Sequence, residues 1–325
     1  MSEVKVSVVV PTYKRAPLLS KCLQALINQD FDRNDYEVIV VTDGEDEEAC
    51  NLVQTFSLTN TFLHCISPKE KGGPAAARNI GWKNAQGELI VFTDDDCIPS
   101  SGFVSEYWAA YNLAAASVVC FTGKVIVPAC GRPTDYEWNT TLLQNAEFIT
   151  ANCACSKTAL QQVNGFNEQF KMAWCEDSEL QFRLLGNNIP IVKAEGAVVT
   201  HPVRPAGWGI SLKEQRKSMY NALLYKLHPE KYRIKLHNTT IWKFYMNWLS
   251  VTVMLIAILA NNMTLFLAGF PFWLVFAVLF TYKRLRHTSK SISHVLEMII
   301  TSILIPFLSV YWRLYGSFKF KVMFL

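Results

Sequence analysis

Residues 88–96 read ELIVFTDDD, an apolar run that ends in three consecutive aspartates. A continuous apolar run is typical of a strand that is buried on both faces, as in a parallel sheet. Residues 4–10, 37–41 and 61–66 are three earlier runs rich in apolar side chains. Between the first two, apolar residues recur at helical spacing over residues 17–27. The alternation predicts an α/β fold with a mainly parallel sheet flanked by helices.

Polar residues follow three of these predicted strands, where open α/β sheets bind their ligands. They are Pro11-Thr12-Tyr13-Lys14-Arg15, then Thr42-Asp43-Gly44, and then Asp94-Asp95-Asp96. Adjacent carboxylates repel one another, and a divalent cation shared with a substrate diphosphate would offset that repulsion. An exposed acidic turn is the alternative, but the position at a strand end favours a metal site.

A helix start precedes the fourth strand, where residues 72–79 read GGPAAARN. The two glycines allow close approach of the backbone, Pro74 suits a first helical turn, and Arg78 lies one turn further on. A helix N-terminus with an arginine predicts a contact with an anion.

A second acidic motif, Glu176-Asp177, begins another predicted helix. Asp177, Leu180 and Leu184 share one stripe of that helix, so Asp177 is expected on its inward face. Glu179 is expected to pair outward with Arg183, four residues later. An acid on an apolar face can have a raised pKa and act as a general base. A carboxylate that only caps the first turn is the alternative.

Composition separates two parts of the chain. The 325 residues are 50% hydrophobic and 18% charged, with a net charge of +4. These values exclude a disordered chain and give no indication of nucleic-acid binding. From residue 241 onward the chain has eight basic residues and one acid, a net charge of +7, which leaves −3 for the rest. The nine cysteines form no CxxC pair, which argues for buried thiols in a reducing compartment rather than a zinc site.

Residues 241–325 are predicted to be a membrane region, with spans at about 242–260 and 263–282. Each stretch is long enough to cross a hydrocarbon core of about 30 Å. Only Asn261 and Asn262 separate them, which predicts a hairpin. The basic cluster at 283–287 then marks a cytosolic end.

A third apolar stretch, residues 294–315, contains Glu297, Pro306 and Arg313. It is predicted to be either a third span or an amphipathic or re-entrant helix at the cytosolic face, and the second interpretation is preferred. Residues 1–240 are expected to form a cytosolic catalytic domain, because the N-terminus has no signal-peptide pattern. The protein is therefore expected to be a multi-pass protein of a bacterial inner membrane.

Together these motifs resemble glycosyltransferase family 2, whose members have the GT-A fold. The likeness covers roughly residues 5–205 and also includes Gly165-Phe166. It implies an inverting enzyme that uses a nucleotide-diphosphate sugar with Mg²⁺ or Mn²⁺. A catalytic domain joined to a membrane hairpin further indicates a lipid-linked or membrane-associated acceptor.

The resemblance also implies roles for individual residues. Asp177 matches the catalytic base, with Glu176 as its neighbour, and the metal ligands would be Asp96, Asp94 and His201. Donor-binding residues would be Pro11, Thr12, Tyr13, Arg15, Asp43, Arg78, Asp94, Asp95 and Arg216.

The sequence departs from the family pattern at three places. Thr42-Asp43-Gly44-Glu45 stands where Asp-Asp-Gly-Ser is usual, and the often glycine-rich loop before Gly165 is Thr150-Ala151-Asn152-Cys153-Ala154. The QxxRW motif of processive members is absent. Gln215-Arg216-Lys217, on a helix predicted to run to Leu227, is the nearest basic substitute, unless it is only a solvated face. Transfer of one sugar is therefore favoured over polymer synthesis.

Two other functions fit parts of the pattern less well. A nucleotidyltransferase usually has a glycine-rich signature after the first strand, which Pro11-Thr12-Tyr13 does not supply. A non-catalytic, membrane-anchored sugar-nucleotide binding protein would not need the intact acidic motifs. The sequence predicts no particular oligomeric state, sugar or nucleotide.

Overall fold

A computed structural model describes residues 4–128, 131–236 and 241–324. The chain forms two compact units. The first contains residues 1–128 and 141–203, and the second contains residues 129–140 and 204–325. The predicted domain boundary at residue 240 differs from this division and stays a prediction.

The first unit contains an eight-stranded mixed sheet in the order β3-β2-β1-β4-β7-β6-β8-β5. The pairs β1/β2, β2/β3, β1/β4 and β6/β8 are parallel, whereas β7 and β5 run antiparallel to their neighbours. The strands are β1 (Val6–Thr12), β2 (Tyr36–Thr42), β3 (Leu63–Ile66), β4 (Leu89–Thr93), β5 (Ile98–Pro99), β6 (Cys120–Ile126), β7 (Asn152–Ser156) and β8 (Ile191–Thr200).

The helices are numbered in chain order through both units. They are α1 (Ala16–Ile27), α2 (Glu47–Ser57), α3 (Pro74–Asn84), α4 (Phe103–Leu113), α5 (Asp135–Thr141), α6 (Lys157–Val163), α7 (Glu176–Gly186), α8 (Ile210–Glu214), α9 (Tyr220–Leu227), α10 (Pro229–Leu236), α11 (Ile241–Leu259), α12 (Met263–Leu285) and α13 (Ile292–Lys319). Two 3₁₀ helices lie at Leu142–Asn145 and Gln215–Met219.

Helices cover both faces of the sheet, as the apolar runs predict. All seven residues of β1 are buried. Val8 packs in one core cluster with Leu19 and Leu23 of α1. Val9 faces the opposite side and packs in a second cluster with Ala77 and Trp82 of α3. Alternate residues of one strand thus fill two cores, which explains why the strand has no polar face.

The expectation of a loop at Thr150–Ala154 was wrong for its second half. Asn152–Ser156 forms β7, which pairs antiparallel with β4 and with β6. Its residues are all buried. Asn, Cys and Ala have no marked preference for strands, so the local sequence gave no signal. Pairing on both edges in the middle of the sheet determines the conformation instead.

The carboxyl ends of β1, β2 and β4 meet at one edge of the sheet. Thr12 is in register with Thr42, and Val9 is in register with Phe92. The Asp43 amide also donates to the Thr12 carbonyl at 2.9 Å. The three polar segments singled out in the sequence therefore lie together, at the edge where open α/β sheets bind ligands.

The second unit is helical in the residues that the structure describes, and it contains α5 up to Thr140 and α8 to α13. The helix predicted to run from Gln215 to Leu227 is instead a 3₁₀ helix, Gln215–Met219, followed by α9. Helices α11, α12 and α13 are long and apolar enough to cross a membrane. They could form the membrane region of the chain.

Candidate active site

The three aspartates that follow β4 have three different sets of partners. Asp94 bonds to Arg78, Asp95 to Thr12 and Arg15, and Asp96 lies beside His201. Asp95 and Asp96 are buried, and Asp94 is half-buried. Cations and hydrogen-bond donors from separate elements thus offset the repulsion between adjacent carboxylates.

Asp95 fixes the end of β1 to the end of β4. Thr12 Oγ1 donates to Asp95 Oδ2 at 2.7 Å, and Arg15 Nη1 lies 3.2 Å from Oδ1. Burial raises the pKa of Asp95 to about 6, although Arg15 and Thr12 both act to lower it. Pro11 is buried in β1 opposite Val41. Thr12 and Arg15, predicted to bind the donor, therefore also support the acidic motif.

Arg78 occupies the centre of the site and is almost completely buried. Its Nη2 donates to Asp94 Oδ1 at 2.7 Å, and its Nη1 donates to Glu176 Oε1 at 3.3 Å. Burial acts to lower the pKa of Arg78, but the neighbouring carboxylates outweigh it and raise that pKa. The predicted anion-binding arginine thus already holds two carboxylates of the protein.

Gly73 determines how the helix that carries Arg78 begins. Its φ of +87° suits glycine, and a Cβ there would lie 2.8 Å from the Lys171 carbonyl oxygen. Asp43 Oδ1 accepts hydrogen bonds from the amides of Gly72 and Gly73 at 2.8 and 2.6 Å. Asp43 therefore shapes the loop before α3, in addition to any part in donor binding.

Tyr13 and Lys71 form an aromatic and cationic surface beside Asp43. Lys71 Nζ lies 3.5 Å from the centre of the Tyr13 ring and 3.9 Å from Asp43 Oδ2. Tyr13 is 37% exposed, so part of its side chain is open to solvent. Lys71 was not predicted, although its place directly before Gly72 was a usable signal.

Glu176 and Asp177 begin α7, and both have raised pKa values. Burial is the main cause of a pKa of about 7 for Glu176, with a further increase from the Asp177 charge, and Arg78 opposes the shift. Burial also raises the pKa of Asp177, against the Ser178 amide that donates to its Oδ1 at 2.7 Å. Near neutral pH, a carboxylate of raised pKa can accept a proton from a substrate hydroxyl.

The predicted stripe on α7 is present, and the predicted outward pair is not. Leu180 and Leu184 are fully buried, and Asp177 is half-buried beside them. Glu179 does bond to Arg183, at 2.8 Å from Nε, but it is only 2% exposed and therefore points inward. Arg183 also donates to the Val163 carbonyl at the end of α6. This contact holds the Glu179–Arg183 pair against α6, away from solvent.

Asp96 and His201 are suited to hold a metal ion. Asp96 Oδ1 and His201 Nε2 lie 3.7 Å apart, and Cys97 Sγ completes a buried group whose ligand atoms lie within 4.8 Å of one another. His201 Nδ1 has no hydrogen-bond partner within residues 4–128, 131–236 and 241–324. A carboxylate and an imidazole fit a divalent cation such as Mn²⁺. Among the described residues, this group of possible metal ligands does not include Asp94, which was also predicted to bind the metal and instead bonds to Arg78.

Cys97 was not predicted, and its position directly after Asp96 was the only local signal. Arg216 lies in the second unit, on the 3₁₀ helix, where its guanidinium is 5.9 Å from the centre of the Trp312 ring. Its role as a diphosphate clamp stays a prediction.

Residues 7–170, about half of the chain, match the family model of Glycosyl transferase family 2. The chain belongs to this family. The family resemblance of the ordered motifs is thereby confirmed, and the chain is a glycosyltransferase of the GT-A type.

Curated relatives of this glycosyltransferase come from archaea and bacteria. Glycosyltransferase AglE of Haloferax volcanii is 25% identical over 209 residues, which cover 62% of this chain and 68% of AglE. GalNAc(5)-diNAcBac-PP-undecaprenol beta-1,3-glucosyltransferase of Campylobacter jejuni is 30% identical over 180 residues, with coverage of 51% and 56%. Poly(ribitol-phosphate) beta-glucosyltransferase of Bacillus spizizenii is 35% identical over 105 residues, but the chain covers only 17% of it. The chain thus spans less than two thirds of the last two relatives.

Solved structures of other glycosyltransferases resemble almost the whole chain. The mannosyltransferase PcManGT from Pyrobaculum calidifontis, in complex with GDP-Man and Mn²⁺, has a TM-score of 0.60 and 20% identity. The match covers 98% of this chain and 89% of that one. At this identity the likeness establishes the GT-A fold, as the sequence predicted.

Proposed function

We propose that the protein is an inverting, metal-dependent glycosyltransferase that moves one sugar from a nucleoside diphosphate sugar to a hydroxyl of a lipid-linked acceptor. The reaction would take place at the cytosolic face of a membrane. The observation that carries the proposal is the Glu176–Asp177 pair. Both carboxyl groups have raised pKa values, and both interact with the charges of Arg78 and Asp94.

Asp177 is the proposed general base. Its carboxylate would take the proton of the acceptor hydroxyl as that oxygen attacks the anomeric carbon from the side opposite the diphosphate. A single displacement of this kind inverts the configuration of the sugar. Glu176 holds Arg78, and Arg78 holds Asp94, so the base motif and the metal motif keep a fixed spacing.

The donor site would use the carboxyl ends of β1, β2 and β4. Tyr13 and Lys71 offer a ring and a cation to the nucleotide base, with Asp43 beside them. Asp96 and His201 would hold a divalent cation, which stabilises negative charge on the leaving diphosphate. Arg216 remains a candidate for a further contact with that diphosphate.

The lipid-linked acceptor is proposed on two grounds. Three helices of the second unit are long and apolar enough for a membrane. The name of the relative from Campylobacter jejuni specifies a PP-undecaprenol acceptor. A multi-pass protein of a bacterial inner membrane, with its catalytic unit in the cytosol, is part of the same proposal.

The test is a screen of nucleotide sugars with the full-length protein in detergent and a polyprenyl-diphosphate acceptor. We expect one donor to yield a glycosylated lipid in the presence of Mn²⁺ or Mg²⁺, with little product after EDTA is added. The anomeric configuration of the product, read by NMR, should be opposite to that of the donor. Retention of configuration would contradict the role of Asp177, and undiminished transfer in EDTA would contradict the metal site.

A further inference from the structure

Helix α13 lies alongside the basic segment, which we define as residues 209–227. Three contacts follow one another in the same order along both stretches. The Gly209 amide donates to Glu297 Oε1 at 2.7 Å, and Lys226 Nζ donates to the Phe320 carbonyl at 2.9 Å. Between these two contacts, Gly316 packs so closely on the Met219 carbonyl oxygen that a Cβ there would clash with it. The basic segment thus runs parallel to α13 over nearly its whole length.

The basic segment is unsuited to the interior of a bilayer. It carries five charged side chains, namely Lys213, Glu214, Arg216, Lys217 and Lys226. Charged groups are strongly disfavoured in hydrocarbon unless they face a water-filled cavity. If α13 crossed the membrane, the segment packed along it would have to cross as well.

Contacts with α11 and α12 place α13 at the open end of their hairpin, which is the end opposite the turn at residues 260–262. Arg284, in the last turn of α12, donates from Nη1 to Thr301 Oγ1 at 2.6 Å. The Arg313 guanidinium lies by the hydroxyl of Tyr245, in the second turn of α11.

The separation of these contacts along α13 determines its direction. Thr301 and Arg313 are twelve residues apart, which is about 18 Å along a helix. If α13 crossed the membrane antiparallel to α12, Arg313 would lie that distance closer than Thr301 to the turn of the hairpin. Both residues instead contact the open end, and Phe307 between them packs on Trp248 with ring centres 5.2 Å apart. Helix α13 therefore passes across the base of the hairpin.

The outer face of α13 is an apolar stripe. Its exposed residues recur at helical spacing and include Ile292, Leu296, Ile300, Leu304, Tyr311 and Phe318. The opposite face is buried and contains Thr301, Ser302 and Gly316. Lys290 precedes the helix, and Lys319 and Lys321 stand at its end. An apolar stripe with basic ends is typical of a helix that lies in an anionic membrane surface.

We propose that α13 binds the surface of an anionic bilayer along this stripe and does not cross the membrane. Two helices, α11 and α12, then form the membrane-spanning part, and residues 320–324 lie on the side from which α11 enters. The hairpin against which α13 packs also exposes apolar side chains, among them Leu255, Val275 and Leu279, and this identifies the bilayer as the occupant of the stripe. The proposal concerns membrane topology and does not depend on the catalytic activity.

The first experiment locates three epitope tags on the full-length protein in sealed membrane vesicles of known orientation. One tag precedes residue 1, one is inserted between Asn261 and Asn262, and one follows residue 325. We expect protease to remove the two terminal tags from the same side and the middle tag only from the other side. A C-terminal tag on the side of the middle tag would overturn the proposal, and so would all three tags on one side.

The second experiment measures the depth of α13 directly. A nitroxide amino acid replaces Leu304 or, as a matched control, Val275 in the middle of α12, and both side chains are exposed. Depth is read by power saturation in vesicles of phosphatidylethanolamine and phosphatidylglycerol. We expect the label at Leu304 to lie roughly 10–15 Å shallower than the label at Val275, which is nearly half the hydrocarbon thickness. Equal depths would overturn the proposal.

Discussion

Arg78 and Asp94 form an ion pair in which Nη2 donates to Oδ1 at 2.7 Å and the arginine side chain is only 3% exposed. The other terminal nitrogen of Arg78 donates to Glu176. One side chain of α3 therefore links the acidic end of β4 to the first turn of α7. The spacing between the two acidic motifs depends on this buried guanidinium.

Replacement of Arg78 by alanine should destabilise the protein, because two carboxylates lose their buried partner. We expect a loss of about 3–5 kcal/mol in the free energy of unfolding, measured by denaturant titration of the detergent-purified protein. Lys5→Ala is the control, since it removes an ion pair to Asp35 in which the lysine is 42% exposed. That variant should lose about 0–1 kcal/mol. A loss of equal size in both variants would contradict the role of Arg78.

Asp96→Asn should abolish metal-dependent donor binding, because it removes a carboxylate from the metal site. His201→Ala should raise the Mn²⁺ concentration for half-maximal transfer by about 10–100-fold. Cys97→Ala should leave that concentration unchanged, because Mg²⁺ and Mn²⁺ prefer oxygen ligands to thiols. Isothermal titration with Mn²⁺ and donor measures binding by Asp96→Asn, and transfer assays over a range of Mn²⁺ concentrations measure the other two variants. An unchanged metal requirement in His201→Ala would exclude it from the site.

The transfer rate should depend on pH in the range where Glu176 and Asp177 titrate. The pKa of Glu176 is about 7, and burial raises that of Asp177 as well. A general base works in its deprotonated form, so the rate should increase as the pH rises through these values. Below them it should fall by about tenfold per pH unit. Donor affinity measured at each pH distinguishes the decrease in transfer rate from weaker donor binding. A transfer rate that stays constant between about pH 5 and 8 would contradict a general base in this pair.

Tyr13→Ala should weaken donor binding by roughly 10–100-fold, since stacking of a base on an aromatic ring contributes about 1–3 kcal/mol. Tyr13→Phe keeps the ring and is the matched control, so its donor affinity should stay close to that of the wild type. Fluorescence titration with the nucleoside diphosphate measures both variants. Equal losses in the two variants would assign the effect to the hydroxyl, and no loss in Tyr13→Ala would remove Tyr13 from the donor site.

The sequence predicted the sheet edge well, because each polar segment follows a continuous apolar run. It could not predict which partners the acids would take. Thr12 and Asp95 are 83 residues apart, and only the adjacency of β1 and β4 brings them to 2.7 Å. Arg78 and Glu176 meet in the same way across 98 residues. Spatial order of the strands, which local periodicity does not encode, decided these contacts.

Tertiary contacts override local preference in β7 and at Glu179. The sequence of β7 is rich in small residues and lacks strand preference, yet both of its edges are paired. Glu179 was assigned to the solvent face, whereas the contact of Arg183 with the Val163 carbonyl places the pair inside. Spacing along a helix predicts which side chains meet, but the packing of neighbouring helices determines which face is buried.

The most direct test of Asp177 as the general base is the transfer rate of Asp177→Asn, measured together with its donor affinity. Asparagine keeps the shape of the side chain and cannot accept the proton. We expect the rate to fall by about 100–10,000-fold with donor affinity within twofold of the wild type. Glu48→Gln, an exposed acid in the first turn of α2, is the control and should have the wild-type rate. Transfer by Asp177→Asn at the wild-type rate would contradict the proposed base.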